Sequence, residues 1–185
     1  MYNFSNVRPK LKERDDLIVV EGYMDVVSLS SKGFNVSVAP LGTAITENQL
    51  NILWKENNSP IICFDGDRAG KAASFRVSEL ALKLLKPNKS LRFISLPNDL
   101  DPDDYIKSFG LESFLKLVRN ASPLTNIVWD SCMSISDIKT PEGRSGFESE
   151  LRKKINLIKD SSIKKHYGLI FKQYLDELFY KKTIN

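Results

Sequence analysis

The chain has 185 residues, of which 42% are hydrophobic and 27% charged, and 27 Lys and Arg against 23 Asp and Glu give a net charge of +4. This composition is ordinary for a folded protein and excludes disorder over most of the length. No stretch approaches the roughly 18 apolar residues of a membrane-spanning helix, and no apolar leader follows Met1, so we expect a cytoplasmic protein without a membrane partner. Two cysteines, Cys63 and Cys132, and the single His166 cannot build a four-ligand zinc site, which excludes zinc as a cofactor of this chain.

The first 110 residues alternate short apolar runs with helical patterns. The apolar runs predict four strands, at 17–20, 36–39, 61–64 and 91–96. Helices are predicted between them, at about 25–32, from the capping pair Thr46 and Gln49 onward, and at 69–86. Strands that alternate with helices predict an α/β fold, an open parallel sheet with helices on both faces.

After Gly110 the strand signals stop and the helical signals continue. Four helices are predicted there, at 111–120, about 124–133, 142–159 and 161–182. We therefore divide the chain into an N-terminal lead-in (1–16), an α/β domain (17–110) and an all-helical C-terminal subdomain (111–185).

Acidic residues follow three of the predicted strands. Glu21 comes after the first, Asp65 and Asp67 after the third, and Asp101 and Asp103 after the fourth. Because the carboxyl ends of parallel strands meet at one edge of the sheet, these carboxylates are expected to converge, which is costly without bound cations. Such a cluster is suited to binding Mg²⁺, and its natural function would be to hold two Mg²⁺ ions that bind phosphate oxygens. Taken singly, each acid has a plainer interpretation: Asp67 and Asp101 as helix caps, and Glu21 as an exposed loop residue.

Two basic residues, Arg68 and Lys71, lie at the start of the helix that follows Asp67. The free backbone N–H groups of a helix start favour anions, so these side chains are candidates for binding phosphate. A solvated helix start is the alternative. The sequence contains no GxSxG, P-loop or GxGxxG motif, so hydrolase, P-loop and dinucleotide-binding functions lack support.

Taken together, these motifs resemble the TOPRIM domain, an acid-bearing α/β module of topoisomerases, primases and some nucleases. The resemblance is carried by VEGYMDV (20–26), LGT (41–43), FDGDRAG (64–70) and DPD (101–103), which look like the motif series of bacterial DNA primases. The segment TPEGR (140–144) and the helices after it resemble the helical end of the primase catalytic core. The resemblance therefore covers nearly the whole chain.

The resemblance implies metal-dependent synthesis of short RNA primers on single-stranded DNA during replication, from nucleoside triphosphates. It implies Glu21, Asp65 and Asp67 as catalytic residues that bind Mg²⁺ or Mn²⁺, with Asp101 and Asp103 in the same metal site.

Four residues are implied to bind nucleotide or phosphate, namely Gly42, Thr43, Arg68 and Lys71. Asp25 also matches a position of the motif series, without an assigned role.

Bacterial primases are longer than this chain. They also have a zinc-binding domain, a basic N-terminal half of the catalytic core and a C-terminal domain that contacts the replicative helicase. We therefore expect a monomeric fragment of the catalytic core that acts at the replication fork in the nucleoid and reaches the helicase only through a domain absent here.

Two alternatives stay open. A small TOPRIM nuclease would use the same acids to cleave nucleic acid, and a non-catalytic fragment would only bind metal, nucleotide or a replication partner. A topoisomerase is disfavoured because no tyrosine-bearing module is evident.

Overall fold

A computed structural model describes residues 1–12, 16–40, 44–97 and 99–179. Short strands alternate with helices in the first part of the chain, and helices dominate the rest. The strands are β1 (Ile18–Val19), β2 (Ser37–Val38), β3 (Ile61–Phe64), β4 (Arg92–Ser95) and β5 (Ser122–Pro123). The helices are α1 (Phe4–Val7), α2 (Tyr23–Ser31), α3 (Glu47–Glu56), α4 (Arg68–Leu84), α5 (Pro102–Phe109), α6 (Leu111–Arg119), α7 (Leu124–Met133), α8 (Pro141–Asn156) and α9 (Ser161–Phe179), and a 3₁₀ helix spans Arg8–Lys12.

These strands form one sheet in the order β2-β1-β3-β4-β5. β1, β2, β3 and β4 run parallel, with Ile18 of β1 opposite Ile61 of β3, and β5 pairs antiparallel with β4. The predicted α/β fold, an open parallel sheet with helices on both faces followed by helices, is confirmed, and β5 adds an antiparallel edge that the sequence does not predict.

Helices cover both faces of the sheet, which explains why β1, β2 and β3 contain only buried residues. The chain moves from β1 to β2 in one direction and from β3 to β4 in the other, so right-handed crossovers place α2 and α4 on opposite faces. α2 packs against α5 on its face, and α4 packs against α3 and α7 on the other.

The lead-in is tied to the edge strand β2. The backbone N–H of Tyr2 donates to the carbonyl of Ala39 (2.8 Å), the Asn3 side chain donates to the carbonyl of Ser37 (3.0 Å), and Val7 is fully buried. No structure is predicted for this segment, because a four-residue helix has too short a pattern to detect in a sequence.

The helical segment packs on α4. α7 contacts α4 and β4, and α8 contacts α4 and α7. An aromatic cluster joins α7, α8 and α9: Trp129 lies 4.8 Å from Phe147 and 5.4 Å from Tyr174 between ring centroids. β5 also lies in this segment, where only helices are predicted, because a two-residue strand leaves no periodicity in the sequence. The division of the chain at residue 110 stays a prediction.

Both cysteines are buried free thiols, Cys63 in β3 and Cys132 in α7, and burial raises the pKa of each. Within the ranges that the structure describes, no helix is both long and apolar enough to cross a membrane.

Gly143 is held in a tight contact where the loop before α8 folds back on the helix. Thr140 caps α8 by accepting a hydrogen bond from the Gly143 N–H (3.0 Å), and a Cβ atom on Gly143 would lie 1.6 Å from the carbonyl oxygen of Asp137. We expect Gly143→Ala to lower the free energy of unfolding by about 1–3 kcal/mol, because the backbone must move to relieve the clash.

Gly146, one turn further along α8, is the matched control, because a Cβ atom there meets nothing within 4 Å. Gly146→Ala is expected to be neutral or to stabilise by about 0.5–1 kcal/mol, since alanine favours a helix interior. Urea unfolding of both variants measures the difference. Equal effects of the two substitutions would contradict the packing described for Gly143.

Candidate metal centre at the strand ends

The direction in which successive strands are added to the sheet reverses between β1 and β3. These neighbouring parallel strands lead to crossovers in opposite directions, so the loops after them part and leave a crevice at their carboxyl ends. Such a switch point is where open α/β sheets bind ligands. Glu21 follows β1 and Asp65 follows β3, so both carboxylates lie at this crevice.

Glu21 and Asp65 are in direct contact. The backbone N–H of Asp65 donates to Oε1 of Glu21 over 3.2 Å. The start of α4 packs closely against both residues. A Cβ atom on Gly70 would lie 2.2 Å from the carbonyl oxygen of Asp65 and 2.8 Å from Glu21 Oε1. Only glycine lets α4 approach the two strand ends this closely.

Asp67 is the N-cap of α4. Its Oδ1 accepts a hydrogen bond from the backbone N–H of Gly70 over 2.7 Å. The capping interpretation is therefore confirmed, but it does not exclude metal binding, because a carboxylate has two oxygens and the cap uses one. Arg68 and Lys71 are both exposed on the first turn of α4, as expected for phosphate-binding candidates.

Asp65 carries the clearest electrostatic signature. Its Oδ1 is buried and has no hydrogen-bond partner in the described part of the chain. Burial, then the charges of Glu21, Asp25, Asp101 and Asp67, raise the pKa of Asp65 to about 7. Burial is the larger cause of this rise, and the charges of the four neighbouring carboxylates add to it.

Asp25 lies beside this group. Its Oδ2 accepts a hydrogen bond from the Gly22 N–H (2.9 Å) at the start of α2. Burial raises its pKa, the Gly22 hydrogen bond opposes the rise, and the charges of Asp101 and Asp103 add to it. Asp25 therefore both caps α2 and contributes charge to the acidic cluster.

The loop before α5 is joined to the loop after β3. The backbone N–H of Gly66 donates to the carbonyl of Leu100 (2.9 Å), which brings Asp101 near Asp65. Asp101 caps α5 by accepting a hydrogen bond from the Asp104 N–H (2.7 Å).

Asp103 has other partners. It accepts a hydrogen bond from Ser28 and forms an ion pair with Lys107. These contacts lower its pKa, with Lys107 as the main cause, and they tie α2 to α5. Asp103 therefore has a structural role, and its assignment as a metal ligand stays a prediction.

Gly42 and Thr43, the remaining nucleotide-binding candidates, lie outside the described residues. Within the described ranges, no group of three or more His, Cys, Asp or Glu side chains is arranged to hold a metal ion unaided.

Two cavities flank the acidic pair. One of about 190 Å³ lies between α4, α7 and the ends of β3 and β4, and is lined by Asp65, Lys71 and Asp130 among others. The other, of about 330 Å³, is lined by Glu21 and Arg76 among others. Asp130 of α7 and Arg76 of α4 are not among the candidates predicted from the sequence, because only the packing of these helices on the sheet brings them near the strand ends.

The sequence of this chain matches one protein family and several relatives of known function. Residues 15–95 match the Toprim domain family. The DNA primase of Rickettsia felis is 40% identical over 163 residues, which are 88% of this chain and 27% of that protein. The DNA primase of Escherichia coli K12 is 39% identical over 145 residues, 78% of this chain and 25% of the relative. The chain spans about a quarter of the length of these primases.

Solved structures agree with the sequence matches. The E. coli primase catalytic core superposes with a TM-score of 0.82 at 34% identity, covering 95% of this chain and 55% of that one. A DnaG primase catalytic domain bound to ssDNA also gives 0.82 at 34% identity, covering 95% and 56%. A DNA primase domain from Pseudomonas aeruginosa gives 0.83 at 33% identity, covering 95% and 54%. The present chain therefore has the fold of just over half of these structures.

The raised pKa of Asp65 predicts a pH-dependent stability in metal-free buffer. The folded protein favours the protonated form of Asp65. The contribution of this group to the free energy of unfolding is therefore full below pH 4 and is lost as the pH rises through about 7. Asp65→Asn removes this loss. We expect the stability of the variant relative to the native chain to rise by about 1–2 kcal/mol between pH 4 and pH 8, a value reduced for solvent screening.

Urea unfolding at several pH values, with EDTA present, measures this difference. A difference that stays constant from pH 4 to pH 8 would contradict the raised pKa of Asp65.

Proposed function

We propose that this chain, which belongs to the bacterial DNA primase family, forms the metal- and phosphate-binding part of a core that synthesises RNA primers on single-stranded DNA. The observation that carries the proposal is the pairing of Glu21 and Asp65 at the switch point, with one buried oxygen of Asp65 left without a partner. The similarity to primase catalytic cores, one of which was solved with ssDNA, supports the choice of template.

The residues at the strand ends fit a divalent cation. Oδ1 of Asp65 is buried without a donor, and neighbouring carboxylates repel it, so a cation would satisfy the oxygen and offset the repulsion. One or two carboxylates completed by water and phosphate oxygens are the usual Mg²⁺ environment in proteins. We assign Glu21, Asp65 and Asp67 to Mg²⁺ or Mn²⁺, with Asp101 and Asp103 as further candidates.

When bound, the divalent ions supply charge neutralisation for the phosphates and stabilise the attacking and leaving oxygens of nucleotidyl transfer. The chain's own residues hold the substrate in place. Arg68 and Lys71 extend from the first turn of α4 and attract the phosphates, together with the helix N-terminus. Gly42 and Thr43 are proposed to join them. No side chain has to act as a covalent nucleophile, because the primer 3′-hydroxyl attacks the α-phosphate and pyrophosphate leaves.

The substrates and partners proposed for the whole protein are nucleoside triphosphates, an RNA primer and, through a part outside this chain, the replicative helicase. Nucleotide incorporation on a single-stranded template tests the two alternatives. Incorporation above buffer that is lost in Asp65→Asn eliminates the non-catalytic fragment. Metal-dependent cleavage of labelled nucleic acid, lost in the same variant, would instead favour the nuclease.

Calorimetric titration with Mn²⁺ tests the metal site directly. We expect saturable binding to the native chain and binding at least about tenfold weaker in Asp65→Asn, because loss of a ligand exceeds the usual cost of disturbing an outer-shell partner. Asp176→Asn is the matched control, since Asp176 is exposed on α9, outside the cluster. Equal Mn²⁺ affinity in all three proteins would contradict the proposal.

A further inference from the structure

Arg76 lies on α4, beyond the residues assigned to the site. Its side chain is exposed and lines the cavity of about 330 Å³ that Glu21 also lines. In the described part of the chain, no hydrogen bond or ion pair involves its guanidinium. We propose that Arg76 binds a phosphate of the nucleoside triphosphate on the Glu21 side of the metal site, an inference that rests on the proposed function.

The helix geometry directs Arg76 toward the strand ends. Side chains on a helix lean toward its N-terminus, so Arg76 covers the surface above the preceding turn, which carries Ala73. Ala73 lies three residues before Arg76, on the same face of the helix. Ala73 lines the same cavity as Arg76 and Glu21, so this face of α4 borders the cavity.

The cavity offers a phosphate a basic side chain, Arg76, and an acidic one, Glu21, among mostly apolar lining residues. Glu21 belongs to the acidic group where a divalent ion would sit, and Arg76 supplies positive charge in the same cavity lining. A triphosphate chain keeps negative charge on oxygens that the metal ions do not contact, and a guanidinium binds such oxygens in a bidentate manner. Arg68 and Lys71 approach from the first turn of α4, so Arg76 adds a cation further along the helix.

Three substitutions isolate this role. Arg76→Gln removes the charge at an exposed position, Arg76→Lys keeps the charge but loses the bidentate geometry, and Lys83→Gln removes an exposed charge two turns further along the same helix. Each protein is titrated with Mn²⁺ alone, with inorganic triphosphate at saturating Mn²⁺, and with a thymidine oligonucleotide. Urea unfolding of each variant checks that the fold is intact.

We expect Arg76→Gln to weaken triphosphate binding about tenfold or more, the size expected for a lost charge-assisted hydrogen bond, while Mn²⁺ affinity stays within about twofold. Arg76→Lys should fall between native and Arg76→Gln, and Lys83→Gln should match the native chain.

Two results would overturn the inference while leaving the proposed function intact. One is Mn²⁺-dependent triphosphate binding that Arg76→Gln does not change. The other is a loss confined to the oligonucleotide, which would assign Arg76 to the nucleic-acid backbone. No binding of Mn²⁺ to the native chain would overturn both proposals at once.

Discussion

The hydrogen bond from the Asp65 N–H to the Glu21 carboxylate joins the ends of two parallel strands whose connections run in opposite directions. It holds two acids together at the place where the sheet opens. α4 approaches the same point through Gly70, which has no room for a side chain. Asp67, which caps α4, is thereby fixed beside the pair. The position of the proposed metal site thus follows from one contact between strand ends.

The surroundings of Asp65 disfavour its ionised form in the absence of a cation. Burial and four neighbouring carboxylates raise the pKa of Asp65 to about 7, and its buried oxygen has no donor among the described residues. Under the proposed function, binding of a divalent ion would offset this cost. The helical segment contributes by packing α7 and α8 on α4, where Lys154 of α8 pairs with Glu79. It thereby supports the helix that carries the Asp67 cap and Arg76.

Several elements of the fold and the cap at Asp67 could be predicted from local sequence. β3 spans the predicted residues 61–64, α7 spans 124–133, and Asp67 caps α4 at the expected place, because each depends on a local pattern of apolar or capping residues. What the sequence could not show depends on packing between distant segments. Asp103 accepts a hydrogen bond from Ser28, 75 residues away, and β5 is a two-residue strand that pairs with β4.

Paramagnetic broadening of backbone amide signals by Mn²⁺ tests the central claim most directly, because it locates the bound ion on the folded chain. The structure predicts that the amides of Gly22 and Gly66, next to Glu21 and Asp65, broaden at lower Mn²⁺ concentrations than those around Asp176 on α9. Broadening that begins at exposed acids elsewhere, with the strand ends unaffected, would contradict a metal site at the junction of β1 and β3.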